Sequence, residues 1–255
     1  MNERSVLLTG ASSGIGRALA LVYASQGVTL ALAGRDMARL EAVATACRAK
    51  GARVSITRLD VRDANATADW VTQADGHAPI DLAFVNAGIG AGLEETAADF
   101  GPTRMILEVN VLGALNTLEA VTGRMRSRGR GRIVLMGSLA ALRGIPGSQG
   151  YSASKAAIKA LAEGLRPQLA QDGIGLSLVM PGFVRTPMNE DKGFPTPLRI
   201  EPERAAQIIR DRVARGRSRI AFPLPLVWGT RLLALVPPLA DALAMRAARR
   251  GGTGV

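Results

Sequence analysis

Six short apolar runs alternate with longer stretches of helical periodicity between residues 5 and 182. The runs are SVLLTG (5–10), VTLALAG (28–34), RVSITRLD (53–60), IDLAFVNAG (80–88), RIVLMGS (132–138) and GLSLVMPG (175–182). Helices are expected between them, near 14–26, 36–50, 63–75, 103–127 and 151–172. The runs are close to continuous in hydrophobicity, as strands are when helices cover both faces. Repeated strand-then-helix units impose right-handed crossovers, which specifies an α/β fold with a doubly wound parallel sheet. Ligands bind beyond the carboxyl ends of such strands, so function should sit where each apolar run stops.

A chain of 255 residues with 47% hydrophobic content suits one domain with a large buried core. We assign residues 1–215 to that domain and 216–255 to a C-terminal extension. Cys47 is the only cysteine and His77 the only histidine, so an internal disulfide is excluded and neither a Cys/His metal site nor a histidine triad is expected. The opening MNERSVLLTG lacks the pattern of a secretory leader, and a cytoplasmic location is the expectation. The net charge is +11, and Lys50, Lys155, Lys159 and Lys192 are the only lysines among 32 basic residues. The many arginines are scattered and aromatics make up only 4%, so no nucleic-acid partner is expected.

At the end of the first run stands TGASSGIG, residues 9–16, followed by a helical pattern. Glycines at 10, 14 and 16 allow a tight turn, close backbone approach to a pyrophosphate and close helix–strand packing. The amides of Ser12, Ser13, Gly14, Ile15 and Gly16 then open the helix toward an anion. A dinucleotide fits this loop.

TGxxxGxG resembles the glycine signature of the short-chain dehydrogenases/reductases, a Rossmann-type family, and its other signatures follow in order. Asp60-Val61 matches the family's adenine-contacting aspartate, and Asn86-Ala87-Gly88 its NAG motif. Asn110 lies in EVNVLG, Ser138 ends the fifth run, Tyr151 and Lys155 form YxxxK, and Pro181, Gly182, Val184 and Thr186 belong to a PGxxxT segment. The likeness covers residues 5 to about 190.

Tyr151 and Lys155, four apart on a helix, share one face. A nearby ammonium favours the phenolate, so the Tyr151 phenol is expected below its usual pKa near 10. The resemblance implies that Tyr151 is the general acid/base, that Ser138 stabilises the substrate oxygen, that Lys155 also binds the nicotinamide ribose, and that Asn110 holds a relay water. It also implies an enzyme acting on an apolar ketone or secondary alcohol; the alternatives are a non-catalytic cofactor-binding scaffold and a membrane-peripheral reductase of lipid ketones.

NAD-preferring members carry an acid at the second strand end, whereas here Gly34 holds that place and Arg35 follows, suited to a 2′-phosphate. NADP(H) is therefore favoured over NAD(H), with Asp36 opposing. Segments 89–96, 139–149 and 187–200 should shape a mostly apolar pocket, the last as a mobile lid. Beyond residue 215 the terminal strand of commoner members is expected to be missing. The apolar stretch 226–236 is too short to span a bilayer, and the basic MRAARR after it suits either packing, a homo-oligomer (dimer or tetramer) or peripheral contact with an anionic membrane.

Overall fold

The computed structural model describes residues 4–90, 99–145, 147–188 and 196–236. Seven parallel strands form one sheet: β1 (Ser5–Thr9), β2 (Thr29–Gly34), β3 (Arg53–Arg58), β4 (Leu82–Val85), β5 (Gly131–Met136), β6 (Ile174–Pro181) and β7 (Arg219–Phe222). Their spatial order is β3-β2-β1-β4-β5-β6-β7. β1 pairs with β2 on one side and β4 on the other, so the winding reverses there and a crevice opens above the carboxyl ends of β1 and β4.

Strand side chains alternate between two cores. Leu7, Val85, Ile133 and Leu135 meet α3 (Ala64–His77), α5 (Gly113–Arg126) and α6 (Gln149–Gln171) through Trp70, Val121, Met125 and Ile158. Val6, Leu8, Leu30, Leu32 and Phe84 face α1 (Gly14–Tyr23), α2 (Met37–Arg48) and α7 (Pro202–Ala214) through Leu19, Leu40, Val43 and Ile209. Helix starts follow local chemistry: Asp36 Oδ1 accepts from the Arg39 amide at 3.0 Å and Asp63 Oδ1 from the Ala66 amide at 2.9 Å. In α2 the buried Leu40, Val43, Ala44 and Cys47 keep helical spacing, which makes Cys47 a core side chain.

Two expectations are corrected. The pattern at 103–127 is not one regular helix: α4 (Gly101–Leu107) passes through a π-helical turn (Glu108–Leu112) into α5. By length and composition the helix Gly101–Arg126 could cross a membrane, but it buries Ile106, Val109, Val121 and Met125 in the protein. The terminal strand is present: β7 extends the sheet beside β6, from Leu178↔Arg219 to Pro181↔Phe222. Four residues opening on an exposed arginine give too little pattern for sequence to reveal a strand. The sheet thus continues past residue 215, and α8 (Leu224–Leu235) follows it.

Candidate active site

The glycine loop is held from behind. Thr9 Oγ1 donates to the Phe84 carbonyl at 3.3 Å and accepts from the amides of Asn86 and Ala87 at 3.0 and 3.1 Å. Asn86 Nδ2 donates to the carbonyls of Thr9 and Gly10 at 2.9 and 3.1 Å. These bonds lock the ends of β1 and β4 together and commit the Asn86 amide to positioning the loop. Gly10 turns at φ +68°, and a Cβ at Gly16 would stand on the Gly10 carbonyl oxygen and 2.7 Å from Asn86 Nδ2. The Ser13 side chain makes no capping bond to α1, so the first-turn amides face the crevice. This cradle, closed to any side chain, fits a pyrophosphate.

A cleft of about 440 Å³ runs from this loop to α6. It is lined by Gly10, Ser12, Ser13, Gly14, Ile15, Gly16, Arg35, Asp60, Val61, Asn86, Ala87 and Gly88 on one side. Ser138, Tyr151, Lys155, Pro181, Gly182, Val184 and Thr186 line the other. Asn110 is not in the lining. Ile89, Pro187 and Met188 come from the segments expected to shape the pocket. Sequence reasoning named neither Arg39, Val109 nor Met136; of these only Arg39, a second arginine four residues past Arg35, carried a readable signal. Most of the pocket segment 89–96 and half of the lid 187–200 fall outside the described residues.

At the inner end, Ser138 serves two partners. Its Oγ accepts from the Ala140 amide at 3.1 Å, starting the 3-10 turn Leu139–Leu142, and it hydrogen-bonds the Tyr151 phenol. The Lys155 ammonium lies 5.6 Å from the centre of the Tyr151 ring and donates to the Met136 carbonyl at 2.9 Å. Burial pushes the Tyr151 phenol up, against the opposing hydrogen bond from Ser138. Burial likewise pushes Lys155 down to about 8. The expected acidified phenol is thus reversed in the protein by itself: desolvation disfavours both charged forms and is the largest cause of each shift.

Asn110 sits in the π-helical turn, which swings its side chain toward the loop after β4. Its Oδ1 accepts from the Ile89 amide at 2.8 Å, and its Nδ2 donates to the Ile89 carbonyl at 2.8 Å and to Ser154 Oγ at 3.0 Å. Ser154 Oγ in turn donates to the Tyr151 carbonyl at 2.7 Å. The Asn110 side chain therefore ties the β4 loop to the helix that carries Tyr151. Gly90 leaves room for the tyrosine ring, since a Cβ there would lie 2.8 Å from Tyr151 Cδ2.

The outer end carries charge. Asp36, besides capping α2, pairs with Arg39 Nε at 3.2 Å. The side-chain hydrogen bond from Arg62, at 2.7 Å, holds the Asp60 carboxyl below its usual range. Among the described residues, no cluster of three or more His, Cys, Asp or Glu side chains could hold a metal ion.

The depressed Lys155 has a consequence for stability. The folded protein releases this proton near pH 8 while the unfolded chain holds it to about 10.5, so stability rises with pH across that interval. The raised Tyr151 acts oppositely, costing stability above about pH 10. The stability of the wild type relative to Lys155→Met is therefore expected to increase between about pH 8 and 10, read by urea unfolding at stepped pH. A difference that stays flat would show that Lys155 titrates normally.

The family model of short chain dehydrogenases matches residues 4–194. An uncharacterized oxidoreductase of Myxococcus xanthus (strain DK1622) is 38% identical over 248 residues, covering 96% of this chain and 98% of its own. A short chain dehydrogenase/reductase from Burkholderia phymatum, solved in complex with NAD, superposes with a TM-score of 0.80 at 27% identity, covering 93% of this chain and 95% of its own. A short-chain dehydrogenase from Sphingobium yanoikuyae, solved in complex with NADPH, does so with a TM-score of 0.77 at 28% identity, covering 97% and 94%.

Proposed function

The chain belongs to the short-chain dehydrogenase/reductase family of NAD(P)-dependent oxidoreductases, and from that premise we propose that it reduces an apolar ketone, or oxidises the matching secondary alcohol, using NADP(H), with Tyr151 as general acid/base. The observation that carries this reading is the Ser138–Tyr151 hydroxyl pair, backed by Lys155, at the inner end of the cleft whose outer end is the glycine cradle. The bound nicotinamide supplies the hydride. In the reductive direction the Tyr151 phenol, kept protonated by burial, donates its proton to the developing alkoxide, and the Ser138 hydroxyl donates a hydrogen bond to that oxygen. The Lys155 ammonium offsets the phenolate charge left behind. The described lining near this pair, Ile89, Val184, Pro187 and Met188, favours an apolar substrate.

The NADP(H) preference rests on the end of β2. A Cβ on Gly34 would lie 3.3 Å from Ser12 Oγ, which leaves little room for the acid that holds a ribose 2′-hydroxyl. Arg35 and Arg39 both line the cleft there, and the engagement of Asp36 by the α2 cap and by Arg39 reduces its repulsion of a phosphate. Arg35→Asp is expected to raise the NADH-to-NADPH ratio of kcat/KM by about tenfold or more, because a carboxylate that repels the 2′-phosphate replaces a guanidinium that hydrogen-bonds it. An unchanged ratio would refute the assignment.

We place the enzyme in the cytoplasm as a homo-oligomer. The exposed Met105, Leu112 and Leu115 offer a second copy an apolar seat, flanked by Arg104 and Glu119, whose opposite charges can pair across a two-fold axis.

A further inference from the structure

α8 is apolar apart from Thr230 and Arg231, yet only one side is packed. Val227 is buried in the core, and Leu226 packs against that core beside Gly182 at the edge of the cleft. The opposite face presents Leu224, Trp228, Leu232 and Leu235, which are 57, 59, 62 and 77% exposed. Their spacing of four, four and three residues sets them in one stripe along the helix. Arg231 borders the stripe with its guanidinium 5.4 Å from the Trp228 ring. α8 packs on β7 and on the 3-10 turn Leu139–Leu142 that follows Ser138, which sets the helix near the inner end of the cleft.

We propose that this face of α8 docks on an anionic lipid surface, holding the substrate end of the cleft against the bilayer. A tryptophan and leucines in one plane, with an arginine at their rim, match the depth profile of an interfacial helix: apolar side chains among the acyl chains, indole and guanidinium at the headgroups. Charge decides between lipid and a second copy of the chain. From residue 212 to residue 240 there is no acidic residue, while Arg212, Arg215, Arg217, Arg219 and Arg231 are basic, of which Arg219 is engaged by Glu163 and Arg231 is the charge on α8 itself. A two-fold contact through α8 would bring Arg231 toward its own copy with no carboxylate on the helix to meet it, whereas an anionic headgroup supplies that partner. Docking does not depend on the redox reading. The consequence that the ketone partitions into membranes does rest on it.

The two tryptophans make the test specific, because Trp70 is 4% exposed in the core and Trp228 is on the stripe. Full-length protein is mixed with vesicles of phosphatidylcholine and phosphatidylglycerol in which the phosphatidylcholine acyl chains are brominated. Docking is expected to quench tryptophan emission in the wild type and leave the emission of Trp228→Phe unquenched. Leu232→Ser combined with Leu235→Ser should weaken vesicle partitioning by about tenfold or more, and raised salt should weaken the wild type. The substituted side chains are exposed and outside the cleft lining, so unfolding midpoint and turnover of a water-soluble ketone should not change. Absence of quenching with these vesicles, or equal partitioning into phosphatidylcholine alone, would overturn the proposal. So would sedimentation velocity showing that the paired serine substitutions dissociate a dimer, which would give the face to a second copy. Loss of docking with ketone turnover intact would leave the reductase reading standing; docking without turnover on any ketone would do the reverse.

Discussion

Tyr151→Phe is expected to lower kcat by about 10²- to 10⁴-fold, the usual contribution of a positioned general acid, while the affinity for NADPH changes little. The substitution removes one oxygen and keeps the ring. That ring fills the space above Gly90, and the neighbouring Lys155 is held by the Met136 carbonyl, not by the phenol. The cradle residues at the other end of the cleft make no use of the hydroxyl. Ser138 loses a partner, and it retains its bond from the Ala140 amide. Steady-state kinetics with NADPH and a ketone, together with NADPH fluorescence titration, separate the two quantities. A variant that keeps wild-type kcat would remove Tyr151 from the chemistry, and one that loses cofactor affinity in parallel would make it a structural side chain.

Gly16→Ala is expected to abolish measurable dinucleotide binding and to lower the unfolding midpoint. The added methyl would meet the Gly10 carbonyl oxygen and, at 2.7 Å, Asn86 Nδ2. Neither can yield. Gly10 is fixed in the turn at φ +68°, and Asn86 is held by its bonds to Thr9 and Gly10. α1 must therefore move away from β1, which displaces the first-turn amides from the cradle. Overpacking of this kind costs about 1–3 kcal/mol, or roughly 2–12 °C in midpoint for a domain of this size. Cofactor titration and thermal unfolding followed by circular dichroism read both effects. A folded variant with wild-type affinity for NADPH would show that the pyrophosphate does not bind at this loop.

What could be read from sequence, and what could not, divides along physical lines. Strands covered on both faces carry a strong local signal, so the runs at 5–10, 28–34 and 132–138 closely anticipate β1, β2 and β5. Strand ends follow from the strands, which is why Ser138, Asp60 and the Asn86 segment could be placed on one cleft from the sequence. β7 escaped because it is short, opens on an exposed arginine whose side chain pairs with Glu163, and is specified by its neighbour β6 more than by its own pattern. The π-helical turn escaped for a related reason: the bond from Asn110 to Ile89 links residues 21 apart, and no local periodicity announces it. The direction of the Tyr151 shift was misread because i,i+4 spacing reports proximity to Lys155 but not burial, and burial dominates here. Arg39 lines the cleft from the first turn of α2, a placement that becomes visible in the sequence once α2 is known to start at Met37.

The central claim is that this cleft delivers a hydride to a carbonyl carbon while Tyr151 delivers the proton. The most direct measurement follows deuterium from NADPH dideuterated at nicotinamide C4 into aliphatic, aromatic, steroid-like and long-chain ketones, by mass spectrometry of the alcohols formed. The account predicts a label on the carbinol carbon with the wild type, and its loss at equal enzyme and time with Tyr151→Phe. Alcohol formed without the label, or labelled as quickly by Tyr151→Phe, would contradict it.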